Sequence, residues 1–205
     1  IDKPIAASLA DAIRIFAAAK EHKTPVFSSS ALRFSTGIAG ARNNPKIGKV
    51  VGCVAYSPCA TDEHHPDLFW YGVHGVETLY TIMGTGCKTV TRSHAKDTDV
   101  VSGTWDDGRI ATFRGIRGGK AEFGALVFGS ESVASAGGFT GYEPLVKEIA
   151  KFFRTGEAPV SAEETIEMFA FMEAADESKR LGGAPVTIES MMQKARASIA
   201  KAKTP

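Results

Sequence analysis

The stretch VVSGTWDDGRIATFRG, Val100–Gly115, carries the decision about fold class. Two runs rich in Val, Thr, Trp and Phe flank Asp107-Gly108. That dipeptide between β-formers predicts a hairpin with a type I′ turn, both central residues at positive φ. Strands joined so tightly must be antiparallel, because a parallel pair needs a long crossover. Outward from the hairpin, KIGKVVGCVAYS (Lys46–Ser57) and AEFGALVFG (Ala121–Gly129) read as further strands. The middle of the chain is therefore expected to form a mainly antiparallel open sheet.

Helical patterns lie on both sides. Ser8 to Asp11 resembles a capping box, and Leu9, Ile13 and Phe16 recur behind it at helical spacing. That helix is expected to reach about Lys20 and to be followed by a short strand, PVFSSS, Pro25–Ser30. Thr140 to Glu143 is expected to open a helix with Leu145, Val146, Ile149, Phe152 and Phe153 on one face. Ser161 to Glu164 is a stronger capping box. Its helix has apolar residues on more than one side, which predicts burial between two layers. Gly182 stops it, and a short VTI strand and a charged final helix follow. The overall expectation is an α+β fold with helices on one face of the sheet.

Composition narrows the function. The formal net charge is +1 and no basic run stands out, which argues against a nucleic-acid partner. No apolar run approaches the roughly 20 residues of a membrane span. Cys53, Cys59 and Cys87 are odd in number and lack CxxC spacing, so they read as small buried fillers in a reduced, cytoplasmic setting. IDKPIAAS, Ile1–Ser8, reads as the middle of something longer.

The chemistry points to FWYGVHGVETLYTIMG, Phe69–Gly84. On a helix running from Phe69 to Met83, His74 and Glu77 share a face, with Tyr71 on the same side. A carboxylate beside an imidazole raises its pKa and fixes its tautomer, as a general base requires. A core histidine is the plainer alternative.

Three segments, in order, resemble the glucose–fructose oxidoreductase/inositol dehydrogenase (Gfo/Idh/MocA) family. IDKPIAASLADAIRI resembles its Glu-Lys-Pro segment and following helix. YGVHGVETLYTIMG resembles its helix motif Asp-x-Gly-x-His-x-x-Asp. Tyr142–Ser178 resembles its C-terminal helical segment. The resemblance implies that residues 1–30 are the helix–strand remnant of a nucleotide-binding Rossmann domain. Residues 31–205 would then be an α+β domain for substrate binding and oligomer assembly. It implies NAD or NADP as cofactor, a sugar or polyol substrate, and a homo-oligomer.

By position, Lys3 and Pro4 fall in the cofactor-contacting motif, with Lys3 also near the substrate hydroxyl. His74 matches the proton-transfer histidine, Glu77 its carboxylate partner, and Tyr71 a supporting catalytic group. Trp70 stands where the family has an aspartate, and with Arg33 it is expected to contact substrate. Oxidation would then favour neutral to alkaline pH, since the base must be unprotonated. The alternative is a ligand-binding or assembly domain whose catalysis lapsed with that aspartate.

The dinucleotide fingerprint G-x-G-x-x-G is absent. GTGCKT (Gly84–Thr89) lacks the third glycine, and GIAGAR (Gly37–Arg42) has the wrong spacing. The fingerprint is expected before Ile1, so these residues alone should hold the cofactor weakly. DEHHPDL, Asp62–Leu68, reads as a solvated loop, and no metal site is expected. His22 and His94 read as surface residues, Arg92 as an ordinary strand residue, and KARASIAKAK (Lys194–Lys203) as a solvated helical face.

Overall fold

The computed structural model describes residues 1–202. Seven strands form its frame: β1 (Val50–Pro58), β2 (Cys87–Ala95), β3 (Thr98–Trp105), β4 (Ile110–Ile116), β5 (Gly124–Gly129), β6 (Val133–Gly137) and β7 (Val186–Thr187). Their order is β6-β5-β1-β4-β3-β2-β7. Every neighbouring pair is antiparallel except β1 with β4. Six helices accompany them: α1 (Leu9–Glu21), α2 (Thr36–Ala41), α3 (Gly72–Met83), α4 (Glu143–Thr155), α5 (Ala162–Arg180) and α6 (Ile188–Ala202). The fold is α+β, with a mostly antiparallel open sheet. None of these helices is long and apolar enough to cross a membrane.

One row of side chains shows why the sheet has a single inner face. Arg92, Val101, Phe113, Ala55 and Ala125 are register partners in turn across β2, β3, β4, β1 and β5, and all are buried. The neighbouring outward row, Leu126, Val54, Thr112 and Ser102, is wholly or partly exposed. Period-two alternation produces this division. Helix α3 crosses β1 and β4, and α5 crosses β2. Gly75 lets α3 settle there, because a Cβ at that position would overlap the Phe113 ring and crowd Ser57.

The caps at Ser8 and Ser161 form as expected. Ser8 Oγ accepts from the Asp11 N–H at 3.1 Å, and Ser161 Oγ from the Glu164 N–H at 3.0 Å. Helix α5 is buried on several sides, between the sheet and helices α1 and α6. The three cysteines are free and buried. Of the basic final segment, Lys203 lies outside the described residues, and the rest is exposed on α6 apart from Ala195 and the half-buried Ile199.

Four local expectations are corrected. The β3–β4 turn is not type I′: Gly108 is left-handed (φ 85°), but Asp107 is not. The loop takes in Asp106, whose N–H donates to Gly86 O at 2.9 Å, and Gly108 closes it as in a G1 bulge. Among the described residues no ladder partner runs beside Pro25–Ser30, so it is not a strand. The Ser30 N–H goes instead to a side chain, Glu77 Oε2, at 3.1 Å. The helix expected from Phe69 starts at Gly72, after a separate 3-10 turn, Asp67–Phe69. Helix α4 is capped at Tyr142 without a side-chain bond, and Thr140 donates its N–H to Ser35 Oγ. The apolar side of α4 meets only part of the core. Phe152 stacks edge-on against Phe27 at 4.9 Å, while Phe153 stays 81% exposed.

Arg92 corrects the sequence reading most sharply. It is 1% exposed, and its guanidinium reaches three carboxylates: Asp99 at 3.0 Å, Asp176 at 2.7 Å and Asp67 at 2.8 Å. Lys179 also pairs with Asp67, and Arg117 and His94 both pair with Asp99. His94 therefore has a charged partner, Asp99. The guanidinium joins β2 to β3, to α5, and to the turn that leads into α3. Burial and the nearby Asp67 push the Asp176 carboxyl up to about 7, against the pull of Arg92.

Arg92→Ala leaves the fully buried Asp99 with the Arg117 guanidinium alone and takes the guanidinium from Asp176, so unfolding should become easier by about 3–5 kcal/mol. Urea denaturation measures this, and a loss below about 1 kcal/mol would show that the network is incidental.

Candidate active site

A cavity of ≈ 430 Å³ opens where the N-terminal segment meets α3 and α4. Lys3, Ser30, Tyr71, His74, Phe123 and Tyr142 line it. The structure places Lys3, Tyr71 and His74 in one cavity lining. The Lys3 Nζ lies 5.6 Å from the centre of the Tyr71 ring, which sits 5.4 Å from the His74 ring. Phe123 also meets the imidazole edge-on, at 5.7 Å.

Burial and the nearby Lys3 ammonium hold His74 down at about 4, although Asp2 pulls the other way. The imidazole is therefore neutral at ordinary pH. Lys3 is lowered too, chiefly by burial, with Asp2 opposing. The Lys3 ammonium thus makes a proton on His74 harder to hold, and both groups face a partly desolvated cavity.

Glu77 does not touch His74 in the way the sequence implied. Its carboxylate is 2% exposed and turned toward the segment 29–33. It accepts from Ser29 Oγ at 2.8 Å, the Ser30 N–H at 3.1 Å and Arg33 Nε at 2.5 Å. The His74 partner is Ser30, whose Oγ lies 2.7 Å from Nδ1. The physical reason is direction. A residue three positions on shares the helix face, but α3 packs that face against the 29–33 segment, which captures the carboxylate first.

Arg33 does not face the cavity. It is 8% exposed and bridges Glu77 to Glu164, whose contact measures 2.6 Å. Trp70 also lies outside the cavity lining. Because α3 begins after it, Trp70 sits on the turn, stacked on His65 at 4.4 Å. It meets Lys3 only through its backbone carbonyl, at 3.4 Å from Nζ, and its ring face. Pro4 is absent from the cavity lining as well. In the Asp62–Leu68 loop, His65 bonds Asp62 and His64 lies beside Glu63. Among the described residues no group of three or more His, Cys, Asp or Glu is placed to hold a metal ion.

Ser29, Ser30 and Phe123 were not foreseen. The hydroxyl-rich end of PVFSSS was the only hint, because a buried run of serines must find partners.

No family model matches the sequence, and no curated protein matches it in sequence. Solved structures do match it in shape. A putative myo-inositol dehydrogenase from Sinorhizobium meliloti 1021 superposes with a TM-score of 0.79 at 15% identity, covering 91% of this chain and 72% of that one. GenD2 from gentamicin A biosynthesis, in complex with NAD, gives a TM-score of 0.77 at 17% identity, covering 91% of this chain and 70% of that one. The fold is theirs. Scyllo-inositol dehydrogenase from Lactobacillus casei, with bound NAD(H) and scyllo-inositol, gives 0.76 at 12% identity, covering 92% of this chain and 72% of that one. These inositol dehydrogenases and related oxidoreductases share the sheet and helices described above.

The His74 position has a consequence for stability. Unfolded, the ring takes a proton near its ordinary value of 6.5, whereas folded it resists until about 4. The unfolded chain thus binds the extra proton in that window, and stability should fall as pH drops from 6.5 to 4. Chemical denaturation across the window tests this: His74→Gln should flatten the slope, and an unchanged slope would mean the ring is not buried as described.

Proposed function

We propose that the chain is part of an NAD(P)-dependent oxidoreductase of the glucose–fructose oxidoreductase/inositol dehydrogenase kind. It exchanges hydride with a secondary alcohol of a sugar or cyclitol. One observation carries this reading: Lys3 and a neutral His74 line one cavity, close enough to shift the titration of the ring. Solved proteins of this fold that carry NAD(H) and an inositol support it.

The residues fit the nicotinamide end of the cofactor. Tyr71, Phe123 and Tyr142 offer aromatic walls beside Lys3, with room for a planar ring and a small polyol. They do not include the glycine turn that cradles a pyrophosphate. That is in keeping with residues 1–30 as the closing part of a nucleotide-binding domain and 31–205 as the substrate domain. When bound, the nicotinamide supplies the hydride acceptor.

The chain supplies the handling of charge and proton. The Lys3 ammonium favours negative charge developing on the alcohol oxygen. His74 takes the hydroxyl proton at Nε2, the ring nitrogen that Ser30 leaves free. Aromatic walls exclude water and pack against the apolar face of a sugar ring. Since Trp70 is turned away, the missing aspartate bears on substrate choice more than on how the base is held. Three free thiols suit a cytoplasmic enzyme.

The test uses the full reading frame, assayed with NAD and NADP over a polyol panel. His74→Ala should lower kcat/KM on the order of 100-fold or more, and Lys3→Met should act in the same direction. The His74-dependent limb of the oxidation profile should lie near pH 4 rather than 6.5, because the ring stays neutral above that. Cofactor binding without turnover on any polyol would favour a lapsed ligand-binding domain, and turnover that survives His74→Ala would remove the base from this residue.

We also propose self-association through the uncovered sheet face. Ile110, Leu126 and Val133 lie there, 57%, 39% and 58% exposed. Light scattering should find an oligomer that Leu126→Asp with Ile110→Asp reduces to monomers. A monomeric wild type would end this proposal.

A further inference from the structure

A base that must work beside an ammonium, in a desolvated pocket, has a difficulty. Protonating His74 creates a second cation next to Lys3, and the surroundings oppose it. Taking a proton without holding it would avoid the cost, and the groups on the far side of the ring allow this.

Ser30 Oγ lies 2.7 Å from His74 Nδ1 and accepts the Leu32 N–H at 3.2 Å. Ser30 also lines the same cavity. A hydroxyl has one proton and two lone pairs. With Leu32 on one lone pair, the oxygen either donates to Nδ1 or accepts from an Nδ1 proton on the other. In the second arrangement its own proton turns elsewhere, and the cavity lies beside it. A carboxylate in this place would instead stabilise the imidazolium and trap the proton. The other titratable groups around the ring do not compete for Nδ1. Lys3 and Asp2 approach from the N-terminal segment, Tyr71 from the turn before α3, and Glu77 is held by Ser29, Ser30 and Arg33. The carboxylate fixes the backbone of Ser30 and thereby aims its hydroxyl.

We propose that Ser30 is a proton-relay residue, acting through His74 to pass the substrate proton to the cavity without forming an imidazolium. The inference rests on the proposed oxidoreductase reading. In the oxidation direction the alcohol O–H breaks as a bond to Nε2 forms. The Nδ1–H breaks as that proton joins Ser30 Oγ. The original Ser30 hydroxyl proton leaves to a water or buffer base in the cavity. The ring ends neutral, with its proton on the other nitrogen, and the reverse order serves ketone reduction. Rotation of the hydroxyl and exchange with cavity water reset the pair.

The experiment compares full-length wild type with Ser30→Ala and Ser30→Thr. One arm measures turnover against pH and in deuterium oxide. The other follows the 15N resonances of His74 by NMR. Ser30→Ala should lower the oxidation rate on the order of 100-fold and change the pH profile and solvent isotope effect, with Ser30→Thr restoring them. In the NMR arm, wild type should populate both neutral tautomers, and Ser30→Ala should collapse them to one with the proton on Nε2. An unchanged rate and isotope effect in Ser30→Ala would overturn the relay, as would identical 15N patterns in wild type and Ser30→Ala. If wild type turns over no polyol, the oxidoreductase reading fails, and the NMR arm still decides: altered tautomers support the Ser30–His74 link and unaltered ones overturn it.

Discussion

The buried carboxylate of Glu77 is the contact on which the cavity depends. Three donors converge on it: a serine hydroxyl, a backbone N–H and the Arg33 guanidinium. All come from the segment 29–33, and the carboxylate comes from the middle of α3. A buried charge satisfied this fully is costly to break, because any donor removed leaves the others facing an unpaired ion. The cavity is the gap that remains once these two pieces are joined. Its chemistry follows from the same join, since Ser30 is held within reach of the His74 ring.

A second charged centre holds the other end of the turn before α3. Arg92 collects Asp99 from β3, Asp176 from α5 and Asp67 from the turn. Between the two centres, Gly75 brings α3 down onto Phe113 without a side chain in the way. The helix that carries His74 is thus fixed by an ion cluster before it, close packing beneath it and a second ion cluster at its own middle. This explains how a neutral histidine stays aligned without a carboxylate of its own. It also explains why the ring is poor at holding charge: the fold spends its carboxylates on the two arginines, and only Asp2 is left to offset Lys3.

Much of the architecture could be read from the chain because it rests on local rules. Runs of β-forming residues marked β1, β3, β4 and β5, and the Asp107-Gly108 dipeptide marked the hairpin, though Asp106 joined the loop and changed the turn. Ser8 and Ser161 capped their helices as expected, since the side-chain acceptor and the backbone donor lie three residues apart. Thr140 failed as a cap because the helix starts at Glu143 with Tyr142 at its cap, while Thr140 is tied by its N–H to Ser35, from a distant part of the chain. PVFSSS failed as a strand for a related reason. Its residues favour extension, but a ladder needs a neighbour, and a side chain supplied the partner instead.

The mainly antiparallel sheet and the capped helices could be inferred from residues, because turn chemistry and helical periodicity lie along the chain, and family motifs pointed to Lys3, Tyr71 and His74. Which group faces which was settled only by packing. Ser30 and His74 are 44 positions apart, and Arg92 and Asp176 are 84 apart. No spacing rule reaches so far. A carboxylate three residues from a histidine shares its helix face in any sequence, but the direction it turns depends on the strongest donor nearby. In this protein that donor is Arg33, brought in from outside the helix by the folding of the rest.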